Sequence, residues 1–242
     1  MLPAAPRTAE FPDWRFAPNI GGHPDGYELE NKALDQAGHV LAAMHAIAPW
    51  AGRTIVDLGC GTGYWLARYC ADAARVIGIE PDPALRAAAR HAAAALSGAE
   101  VLAGSAEHLP LDDRSADVVH ARFAYFFPPG TEPGLVEVLR VLRPGGHLVV
   151  VDNDYRWGEF ARMLAASALR PPQSTAAAVD AWWRDRGATR YEVRSRLDFS
   201  SRAELSAVLH VEFPADVARA WLRRHPAATG LSYGYVLFAV RA

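Results

Sequence analysis

Residues 54–65 read TIVDLGCGTGYW, and this stretch constrains the chain more than any other. Ile55, Val56 and Leu58 form the short apolar run of a strand buried on both faces. The run enters Gly59-Cys60-Gly61-Thr62-Gly63, after which Trp65, Leu66 and Tyr69 fall on one face of a helix. Glycines let the backbone turn sharply and admit a ligand where a Cβ would block it. The N–H groups that open the helix face the same space. The G-x-G-x-G spacing (Gly59, Gly61, Gly63) differs from the G-x-G-x-x-G of pyrophosphate-binding turns. Asp57, two residues before the first glycine, repels a pyrophosphate and suits a cationic amino group. The next strand, 75–79, runs into Glu80, an acid able to accept both hydroxyls of a ribose.

From Arg53 onward, apolar runs and helical patterns alternate. Strands are predicted at 54–58, 75–79, 100–103, 116–121 and 146–152, and helices at 62–71, 83–96 and 132–142. That alternation implies an α/β fold, an open doubly wound parallel sheet with helices on both faces. Ligands bind such sheets outside the carboxyl ends of the strands. Asp57, Gly59, Glu80, Ser105, Glu107, Arg122 and Asp152 all fall there.

VDLGCGTG followed by GIEPD resembles the class I S-adenosylmethionine-dependent methyltransferases. GSAEHLP (104–110), ADVVHARFAYFF (116–127) and LRVLRPGGHLVVVD (139–152) extend the likeness in order and spacing, from about Arg53 to Asp152. The resemblance implies a Rossmann-like seven-stranded sheet, mostly parallel, with the last strand antiparallel beside the fifth. It implies S-adenosylmethionine as cofactor, S-adenosylhomocysteine as product and a small-molecule methyl acceptor. By the same resemblance, Gly59, Gly61 and Gly63 approach the amino-acid and sugar part of the cofactor, and Asp57 orders that end. Glu80 takes the ribose hydroxyls and Pro81 packs on adenine. Ala106 and Glu107 meet the adenine edge, and Arg122 lies at the methionine end, where it could instead bind an acidic substrate. Tyr27 joins the set because helices before the first strand often close over the cofactor.

The chain's 242 residues, 51% hydrophobic, suffice for one structural domain with appendages. We expect a methyltransferase core over 51–242, with an insert at about 155–189, preceded by an arm and helical cap over 1–50. Net charge is −2 with a pI near 6.5, which gives nucleic-acid binding no electrostatic support. Cys60 and Cys70 have no metal-like companions, so no metal site and no disulfide are expected. No signal peptide or membrane span is apparent, and a cytoplasmic monomer or homodimer is expected. Prolines at 3, 6, 12, 18 and 24 deny the N-terminus regular helix, with Trp14, Phe16 and Ile20 between them. Residues 25–48 read as two helices with Asp35 as a cap between them. A helix capped by Ser174, an alternating strand at 191–199, helices at 202–209 and 214–224 and a last strand at 233–240 complete the chain.

Methyl transfer from a sulfonium needs donor and acceptor held close and in line. A general base is the open element. His23 and His120 are the candidates. His120, inside a strand, reads equally as a core histidine, and His23 as a turn residue. His108 reads as solvent-facing and His147 as structural. Phe123, Tyr125, Asp154 and Tyr155 are candidate acceptor-pocket residues. No Asn-Pro-Pro-Tyr sequence follows the fourth strand, against the amino-methylating DNA and protein members of the family. Three rivals remain: a non-catalytic S-adenosylmethionine-binding protein, an NAD-dependent oxidoreductase, and a protein in which the bound sulfonium serves a reaction other than methylation.

Overall fold

The computed structural model describes residues 10–12, 14, 22–167 and 175–242. Phe16, Ile20 and Ser174 lie outside the described residues. Seven strands form one sheet: β1 (Thr54–Leu58), β2 (Arg75–Ile79), β3 (Ala99–Leu102), β4 (Ala116–Arg122), β5 (Leu142–Trp157), β6 (Thr189–Asp198) and β7 (Gly230–Arg241). Their order is β3-β2-β1-β4-β5-β7-β6. The first five are parallel, and β7 inserts antiparallel between β5 and β6, as expected of the last strand.

The central strands read as unbroken apolar runs because both faces are covered. One face carries Ile55, Val76, Val118 and Val149, packed with Trp50, Leu66, Tyr69 and Met44. The other carries Val56, Ile77, Val119 and Leu148, packed with Leu135, Val138 and Trp183. Eight helices of two turns or more and one single-turn helix are described. The N-terminal pair is α1 (Pro24–Ala33) and α2 (His39–Ile47). Then come the single turn α3 (Leu66–Tyr69), α4 (Pro83–Ala93) and α5 (Glu132–Val141). The C-terminal half holds α6 (Gly158–Ser167), α7 (Ala176–Arg184), α8 (Arg202–Glu212) and α9 (Ala215–Arg224). Asp82 caps α4 by accepting from the Ala84 and Leu85 amides at 2.8 and 3.1 Å, with Pro83 in the first turn where its missing N–H costs nothing. Thr175 caps α7. Gly38 holds the formal cap position of α2, yet the Asp35 carboxylate still accepts from the His39 and Val40 amides at 3.0 and 2.7 Å.

Several boundaries differ from the sequence reading, two of them beside the site. The helix expected over 62–71 shrinks to Leu66–Tyr69, because Gly61 and Gly63 adopt left-handed φ of 57° and 83° and keep the chain in turns. The fifth strand, expected to end at Asp152, continues to Trp157. Its polar stretch still pairs, Asp152 with Val236 and Asn153 with Tyr235, because antiparallel β7 extends the ladder beyond the parallel sheet. The helices α1 and α2 pack on β6, β7 and α8.

Candidate active site

The glycine turn leaves β1 and folds back on β2: the Gly59 and Cys60 amides both donate to the Ile79 carbonyl, at 2.8 and 3.1 Å. Gly59 has φ of 72°, and a Cβ there would stand 2.5 Å from the Ala124 methyl. The missing side chain therefore admits the loop after β4, which completes the wall of the site. Thr62 donates to the Glu28 carboxylate at 2.5 Å, tying α1 across the turn.

Glu80, at the end of β2, accepts from the Gly61 amide at 2.8 Å and the Asp82 amide at 2.9 Å, one on each carboxylate oxygen. These bonds fix the carboxylate's direction and favour its charged form. Burial outweighs them and pushes its pKa up to about 7. Arg86 binds the Glu80 and Pro81 carbonyls, both at 2.9 Å, and so fixes the chain around Pro81.

Asp57 is 1% exposed, and neither carboxylate oxygen has a hydrogen-bond partner among the described residues. Burial raises its pKa to about 6, while the Arg122 charge pulls it down. A buried carboxylate without a partner is costly, so this site is built to receive a donor. Arg122 ends β4, with its guanidinium carbon 3.8 Å from the centre of the Trp65 ring. A buried acid beside an arginine matches the two charges of a free amino acid. These groups fit an adenosyl amino-acid cofactor: Asp57 and Arg122 could hold its amino-acid end and Glu80 its ribose.

Beyond β3, Ser105 and Ala106 are buried, and the Ser105 hydroxyl has no partner among the described residues. The Glu107 carboxylate accepts from the Tyr125 hydroxyl at 2.8 Å, and that hydroxyl accepts from the Gly134 amide at 3.1 Å. Phe123 and Tyr125 both have left-handed φ, 50° and 54°, a strain non-glycine residues bear only when their surroundings hold them.

A methyltransferase-domain family profile matches residues 56–150. An uncharacterised methyltransferase of Mycobacterium tuberculosis is 38% identical over 111 residues, covering 46% of this chain and 44% of the relative. A demethylmenaquinone methyltransferase of Clavibacter sepedonicus is 35% identical over 129 residues, covering 52% and 53%. The chain spans about half the length of these curated relatives. The crystal structure of a SAM-dependent methyltransferase from Aquifex aeolicus shares the fold, with a TM-score of 0.58, 16% identity and 93% and 98% of the two chains covered. Residues 56–150 thus match a methyltransferase domain, and the whole chain shares the fold of S-adenosylmethionine-dependent methyltransferases.

Within this methyltransferase fold, the remaining candidates divide between two levels. His120 pairs in register with Asp57 on β1 and is fully buried, its ring 5.3 Å from both Trp50 and Tyr69. Burial, helped by Arg122, pushes its pKa down to about 3, so the ring is neutral. His23 is exposed at the start of α1. Tyr27, one turn into α1, is half-buried within the fields of Arg122, Glu30, Asp57 and Glu212, and burial raises its pKa. Phe123 lies 6.1 Å from the Tyr235 ring, which contacts Tyr233 at 4.4 Å. Asp154 accepts from its own strand's Arg156 amide at 2.9 Å, and the Tyr155 hydroxyl donates to Asp152 at 3.3 Å. Sequence reasoning missed Trp65, Trp50, Tyr235 and Glu30. Trp65 and Tyr235 sit in patterns that read simply as core, and only their unpaired polar atoms distinguish them.

Proposed function

We propose that the protein transfers a methyl group from S-adenosylmethionine to an O, N or C atom of a small molecule. The observation that carries this is the unpaired, buried Asp57 carboxylate beside Arg122, under a glycine turn whose Gly61 amide aims Glu80. When bound, the cofactor supplies an electrophilic methyl group on a sulfonium. The chain's residues hold it: Asp57 takes the ammonium, Arg122 the carboxylate, Glu80 the ribose diol, Pro81 and Ala106 the adenine, with Glu107 at its edge. None of these acids needs to approach the sulfur, where an anion would stabilise the charged ground state more than the transition state.

The acceptor side lies under α1 and against β5 and β7, where Phe123, Tyr155, Tyr233 and Tyr235 supply an aromatic wall; Asp154, also expected there from the sequence, stands on the opposite face of β5 beside Val179, Asp180 and Arg190 and is left out of it. Tyr125 borders it from the loop after β4. The net charge of −2 favours a small acceptor over nucleic acid. Of the two histidines proposed as bases, His120 is made a weak proton acceptor by burial, while His23 stands in solvent at the edge of the cap, free to act only if α1 closes over an acceptor. No helix of the described residues is long and apolar enough to cross a membrane; a cytoplasmic location is part of the proposal. We take 1–50 as arm and cap and 51–242 as the core.

Calorimetric titration with S-adenosylhomocysteine, with NADH as control, tests the cofactor. Binding of the first and not the second is expected; binding of NADH alone would overturn the reading. Turnover of any acceptor by the loaded protein then separates an enzyme from a binding protein.

A further inference from the structure

Arg122 has no carboxylate within ion-pair distance among the described residues, and its Nε has no hydrogen-bond partner. Arg75, Arg143, Arg156, Arg190 and Arg196, also on strands of the sheet, each pair with an acid. What Arg122 has instead is an aromatic floor, with the Tyr69 hydroxyl beside its guanidinium. Its guanidinium carbon stands 3.8 Å from the centre of the Trp65 ring, and Trp65 is 5% exposed. The indole is packed in the core. Tyr69 lies 6.2 Å from it, Trp50 lies 5.6 Å from Tyr69, and Arg68 lies 5.2 Å from its ring. Trp65 opens α3 directly after the glycine turn, so its backbone is fixed by the same turn that shapes the site.

A guanidinium stacked on an aromatic face keeps its in-plane N–H donors free. Two parallel donors on a fixed plane match a carboxylate, and the match is lost when the plane can rotate. The geometry points to Trp65 as a positioning residue: it holds the Arg122 guanidinium flat so that its free edge meets the carboxylate at the amino-acid end of the cofactor. This rests on the proposed cofactor reading. It adds that discrimination between the whole cofactor and its adenosine part is set by a tryptophan that touches Arg122.

Two ligands separate this role from a structural one. S-adenosylhomocysteine carries the amino-acid end; 5′-deoxy-5′-methylthioadenosine keeps the adenosine and lacks it. Trp65→Leu is expected to weaken the first by about tenfold and to leave the second within about twofold. Trp65→Phe, which keeps a stacking ring, should retain most of the affinity for both. Arg122→Lys keeps the charge without the plane, so it tests the same point if Trp65→Leu fails to fold. It should lose S-adenosylhomocysteine by about tenfold or more and spare methylthioadenosine. Unchanged S-adenosylhomocysteine affinity in Trp65→Leu or Arg122→Lys, or equal loss of both ligands, would overturn the assignment. A wild-type protein that binds neither ligand would remove the cofactor reading and this assignment together; a wild type that binds both, with variants that match it, removes only the assignment.

Discussion

At the β2-β1-β4 side of the sheet, the polar groups of the proposed cofactor site are aimed by backbone. Glu80 is held by two amides, the turn is held by the Ile79 carbonyl, and Gly59 exists to let Ala124 approach. At the β5-β7 side, side chains hold one another. Tyr233 donates to Asn153, Tyr155 donates to Asp152, and the acid of Glu30 is raised by burial and by Glu212, which shares a hydrogen bond with it. The first set comes from short consecutive segments. The second comes from α1, β5, α8 and β7, far apart in the chain. A backbone-aimed site tolerates few changes and serves one ligand; a site of side-chain pairs can be re-cut without disturbing the sheet. The difference fits a shared cofactor on one side and an individual acceptor on the other.

The largest expected effect is on the backbone-aimed side. Gly59→Val forces a β-branched residue into a left-handed conformation and into Ala124. It should cost about 3 kcal/mol, lower Tm by roughly 6–12 °C and abolish S-adenosylhomocysteine binding. A variant that melts like wild type in a thermal scan would show that the turn is not what fixes this region. Next comes Glu80→Ala, which strands ligand hydroxyls and the Gly61 and Asp82 amides. It should weaken S-adenosylhomocysteine by roughly 1–3 kcal/mol in calorimetry. Tyr155→Phe, on the other side, should leave that affinity alone and alter only the KM for the acceptor. Equal losses in the two variants would erase the division between the sides.

A pH series sharpens the same comparison. Glu30 has a folded pKa raised above its usual value by burial first and Glu212 second. Its neutral form is the one the fold favours. The contribution to stability is therefore complete below pH 4.5 and is lost as pH rises toward the folded pKa. Asp57, raised to about 6, and Glu80, raised to about 7, act in the same sense on the cofactor side. The ligand-free protein should lose Tm from about pH 5 to about pH 7. Glu30→Gln should flatten part of that slope, and S-adenosylhomocysteine should offset the share due to Asp57, since its ammonium favours the ionised carboxylate. A slope that Glu30→Gln leaves unchanged would place the sensitivity wholly at the cofactor side.

The two sides also differ in how far they could be read from sequence. Strand, glycine turn and acid announce themselves locally: Asp57, Gly59 and Glu80 occupy positions that only a strand end or a left-handed turn explains. The seven-stranded sheet and its antiparallel last strand followed from the resemblance. The extension of β5 to Trp157 did not, because Asn153-Asp154-Tyr155-Arg156 is polar and its pairing depends on β7, some 80 residues later. The short α3 was obscured because Trp65, Leu66 and Tyr69 keep helical spacing even where glycine holds the preceding chain in turns. Trp65 looked like core and is core; its bearing on Arg122 is a matter of which ring face the arginine covers, which spacing does not encode.

The smallest expected effect concerns Tyr125, which stands between the two sides. Its place after β4 suggests an acceptor-pocket wall. Its hydroxyl, however, donates to Glu107 and accepts from the Gly134 amide, and a Cβ on Gly134 would come within 2.2 Å of its ring. The contacts that hold Tyr125 at a φ of 54° are thus partly ones that orient the loop bearing Ala106 and Glu107. Tyr125→Phe keeps the ring and removes both hydrogen bonds, at a cost of about 1 kcal/mol in stability. If Tyr125 serves the cofactor side, the variant should bind S-adenosylhomocysteine a few-fold more weakly, and an analogue with inosine in place of adenosine should not distinguish it from wild type. A loss confined to the acceptor KM, with cofactor affinity intact, would instead return Tyr125 to the acceptor side and move the boundary between the two regions to β4 itself.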